Sequence, residues 1–121
     1  MVVPAVGTEW IVDASGCSPE RLRDVERLRA LAEGVVRELG LTVVAPPLWH
    51  VFPGEGGVTG MLLLAESHLT LHTYPEHRSL ALNLYCCNER PTFPFRERLG
   101  DLFGASSVAV RTVSRGAGAA S

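Results

Sequence analysis

The chain has 121 residues, 46% of them hydrophobic, with thirteen acidic against eleven basic side chains for a net charge of −2. That length supports one compact domain burying roughly 65% of its unfolded surface. A balanced charge, with no basic residues interleaved with aromatics, argues against a phosphate-tracking surface and so against nucleic acid as a partner.

All eleven basic residues are arginine. A chain without lysine cannot hold pyridoxal phosphate as a Schiff base, so amine chemistry by that route is closed. The stretch Met1-Val2-Val3-Pro4-Ala5-Val6-Gly7 lacks a basic region followed by an apolar run, and the longest apolar run, residues 61–65, cannot span a bilayer. The expected location is the cytoplasm, with no membrane partner. Cys17, Cys86 and Cys87 make an odd count with two adjacent members and no Cys-x-x-Cys spacing, which predicts reduced thiols and no zinc site.

In chain order, residues 9–14 (Glu-Trp-Ile-Val-Asp-Ala) predict a short strand ended by the turn-forming Ser15-Gly16. A helix follows. Ser18 suits its N-cap and Pro19 its first position, and Leu22, Val25, Leu28, Leu31, Ala32, Val35, Val36 and Leu39 recur at helical spacing until Gly40 stops it. Residues 41–45 predict a second strand, broken by Pro46-Pro47, and residues 48–52 resume the extended run. The loop Pro53-Gly54-Glu55-Gly56-Gly57 is expected to border a site. Residues 58–65 are apolar at successive positions, which predicts a central strand covered on both faces, by a helix layer and by a partner subunit.

Residues 69–74 alternate, with Leu69, Leu71 and Thr73 on one face and Thr70, His72 and Tyr74 on the other. Residues 79–87 alternate again: Leu80, Leu82, Leu84 and Cys86 against Ala81, Asn83, Tyr85 and Cys87. Periodicity thus predicts Cys86 in the core and Cys87 at a site. Residues 94–103 predict a second helix closed by Gly104, residues 107–114 a last strand, and residues 116–121 a disordered tail. The order implies an α+β two-layer sandwich, one antiparallel sheet with two helices on one face, in a single domain over residues 1–115.

Pattern and chemistry conflict over Ala65-Glu66-Ser67-His68-Leu69-Thr70-Leu71-His72-Thr73-Tyr74-Pro75-Glu76. Two histidines, two carboxylates, a serine and two threonines stand where a merely structural strand would keep Val, Ile and Leu. A metal explains them poorly: His68 and His72 share a strand face, but neither His77 nor Cys87 is compellingly placed as a third ligand, and no metal is expected. Gly-x-Ser-x-Gly is missing, which disfavours a serine hydrolase.

From Glu66 to Glu76 the sequence closely resembles the prokaryotic S-adenosylmethionine decarboxylases, the self-processing pyruvoyl enzymes of spermidine synthesis. The resemblance runs from Gly7 through Cys17, across Val58-Thr59-Gly60, and on to Cys87 at the family's spacing from the serine. It implies that Ser67 attacks the carbonyl carbon of Glu66 and that the resulting ester undergoes β-elimination. Residue 67 is then left as an amino-terminal pyruvoyl group, the covalent cofactor, and the chain is cut between Glu66 and Ser67. By the same resemblance Thr59 steadies the intermediate and His72 removes the Cα proton. In turnover the pyruvoyl ketone is expected to form a Schiff base with the substrate amine and to accept the electrons released with carbon dioxide, while Cys87 returns a proton to the substrate carbon. Phe52 and Tyr74 are expected to stack on adenine and Glu76 to bind ribose hydroxyls.

Four departures from the family's pattern stand out. Glu9 replaces a histidine, Asn83 a frequent aspartate and Thr59 a serine, and the loop after Phe52 is one residue longer and carries Glu55. The expected protein is a pyruvoyl-dependent decarboxylase of S-adenosylmethionine acting as a homodimer, because the family builds each site at or near a subunit interface. Arginine or ornithine as substrate is one alternative; a non-processing binding or regulatory paralogue is the other.

Overall fold

The computed structural model describes residues 6–116, together with the backbone of Val2–Val3 and Gly118–Ala119. In chain order the elements are β1 (Val2–Val3), β2 (Gly7–Ser15), α1 (Pro19–Leu22), α2 (Val25–Glu38), β3 (Leu48–Val51), β4 (Val58–Leu64), β5 (Ser67–Tyr74), β6 (Ser79–Cys86), α3 (Phe95–Phe103), β7 (Ser107–Arg115) and β8 (Gly118–Ala119). Six strands form one antiparallel sheet in the order β3-β4-β5-β6-β2-β7, and β1 pairs with β8.

Alternation along each strand sorts the side chains between two faces. Leu62, Leu64, Leu69, Leu71, Leu80, Leu82 and Leu84 point inward and meet Leu28, Leu31 and Val35 of α2 and Leu99 and Phe103 of α3 in one core. Each such side chain contributes about 1.5–3 kcal/mol by leaving water. On the other face Met61, Leu63 and Tyr74 remain 50%, 58% and 41% exposed. The α+β two-layer architecture is as the sequence predicts, with three helices in place of two.

The long helix expected from Ser18 to Gly40 is broken after Leu22. Asp24 leaves helical geometry and caps α2: its Oδ1 accepts the N–H groups of Glu26 at 3.1 Å and Arg27 at 3.3 Å. An aspartate makes a better N-cap than helix interior, because its short carboxylate competes for the nearest backbone donors. Leu22 and Val25 both still reach the core, so hydrophobic spacing hides the break.

Residues 41–45 do not form the expected strand. They make a single bridge, Val43 to Leu64, flanked by Val44 N–H to the Leu63 carbonyl at 3.2 Å and Ala65 N–H to the Thr42 carbonyl at 2.9 Å. Pro46-Pro47 withdraws two donors, so the ladder cannot lengthen there. Residues 58–65 hold β4, an internal strand second from the sheet edge; within the chain its Val58, Gly60, Leu62 and Leu64 face is covered and its other face is open. Of the tail over residues 116–121, Gly116 and the backbone of Gly118–Ala119 are described, and the remainder lies outside the described residues.

Candidate active site

Leu64 pairs with Ser67, so Ala65-Glu66 is a two-residue turn joining β4 to β5. Glu66 takes φ +56°, the left-handed region, at a cost of about 1–2 kcal/mol for a residue with a Cβ. Two contacts from the end of β6 hold it there. The Glu66 carbonyl accepts the Cys87 N–H at 3.0 Å, and its carboxylate accepts Asn88 Nδ2–H at 2.7 Å. Ser67 is buried, and its hydroxyl donates to the Ala65 carbonyl at 3.2 Å.

Parity puts the Ser67 side chain on the inner face, where Cys86 is its register partner. Burial pushes the Cys86 thiol above its ordinary range, with the neighbouring Ser67 hydroxyl acting in the opposite direction. Cys87, one residue later, is exposed and borders a cavity of about 290 Å³ with Gly7, Thr8, Asn88 and Glu89. Tyr85 points to the same outer side; burial raises its phenol, and the charge of a Cys87 thiolate raises it further.

A second cluster forms at the opposite end of β5. Thr59 Oγ1 and His72 Nδ1 are 2.9 Å apart across the β4–β5 pair. They open onto a cavity of about 430 Å³ whose walls include Phe52, Glu55, Tyr74 and Glu76. The rings of His72 and Tyr74 lie nearly parallel with centroids 6.4 Å apart. Behind the cavity, the buried Thr73 hydroxyl donates to the Leu22 carbonyl and accepts the Val58 N–H, both at 2.9 Å, and so ties the site to the end of α1.

The loop of residues 53–57 closes when Phe52 N–H meets the Gly57 carbonyl at 2.8 Å. A Cβ on Gly57 would lie 2.7 Å from the Thr73 carbonyl, so only glycine permits that approach. Arg23 grips the loop from outside: its Nε donates to the Glu55 carbonyl at 2.7 Å, and its Nη2 lies 4.0 Å from the Glu55 carboxylate. Sequence reasoning missed Arg23, which passes for a wet-face arginine of an unbroken helix. The cap at Asp24 was the signal.

The expected site residues therefore fall into two groups. Glu66, Ser67 and Cys87 gather at one end of β5, and Thr59, His72, Phe52, Tyr74 and Glu76 at the other. His72 lies five residue steps along the strand from Ser67, about 17 Å at ~3.3 Å per step, and their side chains leave opposite faces. Two of the noted departures meet each other: Asn83 Nδ2 donates to Glu9 Oε2 at 3.1 Å, and Arg115 Nη1 donates to Glu9 Oε1 at 2.9 Å. Among the described residues no three His, Cys, Asp or Glu side chains are grouped to hold a metal ion, and no helix is long and apolar enough to cross a membrane.

The family model for S-adenosylmethionine decarboxylase matches residues 8–116. The chain belongs to that family. An S-adenosylmethionine decarboxylase proenzyme of Thermoplasma acidophilum is 33% identical over 115 residues, 92% of this chain and 84% of that protein. Another from Thermodesulfovibrio yellowstonii is 32% identical over 85 residues, 70% of this chain and 62% of that protein. For several other curated relatives the matched part is about 60% of their length. The crystal structure of the adenosylmethionine decarboxylase from Aquifex aeolicus superposes with a TM-score of 0.77 at 27% identity, covering 93% of this chain and 92% of that one. The family's fold is thus present across the described sheet and helices.

Proposed function

We propose that this chain is a cytoplasmic proenzyme that cuts itself between Glu66 and Ser67 and then decarboxylates S-adenosylmethionine, as a homodimer of single domains spanning residues 1–115. The observation that carries the reading is the Glu66-Ser67 peptide itself, set at a left-handed turn with the Cys87 N–H on its carbonyl. The reaction requires the Ser67 hydroxyl to turn from the Ala65 carbonyl, where it donates at 3.2 Å, toward the Glu66 carbon. Attack there forms a C–O ester as the C–N bond breaks, the hydroxyl proton passing to the released nitrogen. Loss of the Ser67 Cα proton expels the Glu66 carboxylate, and water then replaces the nitrogen, which leaves as ammonia.

The pyruvoyl ketone left at residue 67 supplies the electron sink that a chain without lysine otherwise lacks. Cys87 stands exposed beside it as proton donor to the substrate carbon. Phe52 and Tyr74 offer apolar faces for adenine and Glu76 a carboxylate for ribose hydroxyls, around a cavity of about 430 Å³ that suits a small molecule. Glu55, the loop carboxylate that an arginine or ornithine substrate would use, has the Arg23 guanidinium 4.0 Å away. The separation of His72 and Thr59 from Ser67 supports the dimer. In a two-fold pair contacts are reciprocal, so two open sheet faces brought together can set His72 of each chain against the exposed Cys87 at the Ser67 end of the other.

Intact mass under denaturing conditions tests processing: the 13.0 kDa chain should resolve into fragments of about 7 and 6 kDa. A chain that stays whole on long incubation sinks the reading. Carbon dioxide release from S-adenosylmethionine, arginine and ornithine, compared at equal concentration, tests the substrate.

A further inference from the structure

We infer that Asn88 is a positioning residue for self-cleavage. It holds the Glu66 side chain so that the main-chain N–H of Cys87 stays on the carbonyl that Ser67 attacks. The inference rests on the proposed processing and adds a residue to it. Asn88 Nδ2 and Cys87 N are donors from adjacent residues, and they take the two acceptors of a single residue, the Glu66 carboxylate at 2.7 Å and the Glu66 carbonyl at 3.0 Å. The pair is anchored because Cys86, its first neighbour, is fully buried at the end of β6.

The grip matters because Glu66 is a residue with a Cβ held at φ +56°. Left to itself, such a residue relaxes toward negative φ, and its carbonyl swings away from any donor fixed on β6. When Ser67 Oγ attacks, negative charge develops on that carbonyl oxygen. A main-chain N–H already in place stabilises it without reorganisation, whereas one that must first be recovered does so more slowly. Asn88 is thus a tether that acts through the turn and touches no reacting atom.

The test follows maturation by intact mass in freshly expressed Asn88→Ala, Asn88→Asp, Glu66→Gln and the double variant Glu66→Gln/Asn88→Asp, with thermal melting of each in a Ser67→Ala background. Asn88→Ala should slow cleavage about fivefold, the effect of one hydrogen bond to a charged acceptor at an exposed site. Asn88→Asp should slow it more, since two carboxylates then face each other. The double variant should recover much of the rate lost in Asn88→Asp, because glutamine donates where glutamate could only accept. Cleavage of Asn88→Ala and Asn88→Asp at the unaltered rate overturns the inference, and so does a double variant no faster than Asn88→Asp alone. Slowing that follows the melting point and ignores the restored pairing gives Asn88 a merely structural role and overturns it too. An unaltered chain that never cleaves instead removes the proposed function, a separate result.

Discussion

Ser67 and Cys87 flank the same turn, and the proposed reaction uses them in different steps, so their substitutions should separate cleanly. Ser67→Ala leaves no hydroxyl to form an ester and is expected to remain one chain by mass indefinitely. Cys87→Ala should still be cut, then lose at least about a hundredfold in turnover for want of its proton donor, as carbon dioxide release would show. Cys86 behaves otherwise. Burial lifts its thiol, and that of Cys17, above the ordinary value of 9.0. The folded chain therefore keeps protons that the unfolded chain gives up, and stability is full below about pH 9 and falls as the pH rises through the folded values. Denaturation of the Ser67→Ala chain at pH 7.5 and pH 10 should show that fall, and Cys86→Ala should lessen it; an identical slope in both chains would refute the account.

At the scale of elements, what was legible in the sequence was whatever alternates or caps. Period two gave β5 and β6 and separated buried Cys86 from exposed Cys87, and Gly104 ended α3 where it was read. What hid were features that leave the hydrophobic period intact. The break at Asp24 preserves the spacing of Leu22 and Val25, and five apolar or β-branched residues at 41–45 gain no second strand to pair with before the prolines intervene. Asp24→Ala should cost about 1 kcal/mol in denaturant unfolding, the usual worth of an N-cap; no change would mean that α2 starts without it. The same break aims Arg23 at the loop of residues 53–57. Arg23→Ala should then raise KM for S-adenosylmethionine about fivefold with little change in kcat, because the loop forms a wall of the cavity and lies away from Ser67. Unaltered KM would show that the loop keeps its place unaided.

At the scale of the whole molecule, parity along β5 is the constraint that the sequence held and that reading by motif passed over. Ser67 falls in step with Leu69, Leu71 and Thr73, so its side chain points away from the face of His72, and the strand sets the two residues about 17 Å apart. Within one chain the two residues stand at opposite ends and on opposite faces of β5, while the outer face of the sheet, with Met61 and Leu63 exposed, offers a surface for a second copy. A two-fold pair would build each site from Ser67 and Cys87 of one chain and Thr59 and His72 of the other. Co-expression decides it. Ser67→Ala chains alone and His72→Ala chains alone should both fail to mature and to release carbon dioxide. Mixed dimers would contain one site with both residues intact and one with neither, so equal co-expression should restore activity to about one quarter of the unaltered level if chains pair at random. Activity no higher than that of the separate variants would place the whole site within one chain and remove the need for the dimer.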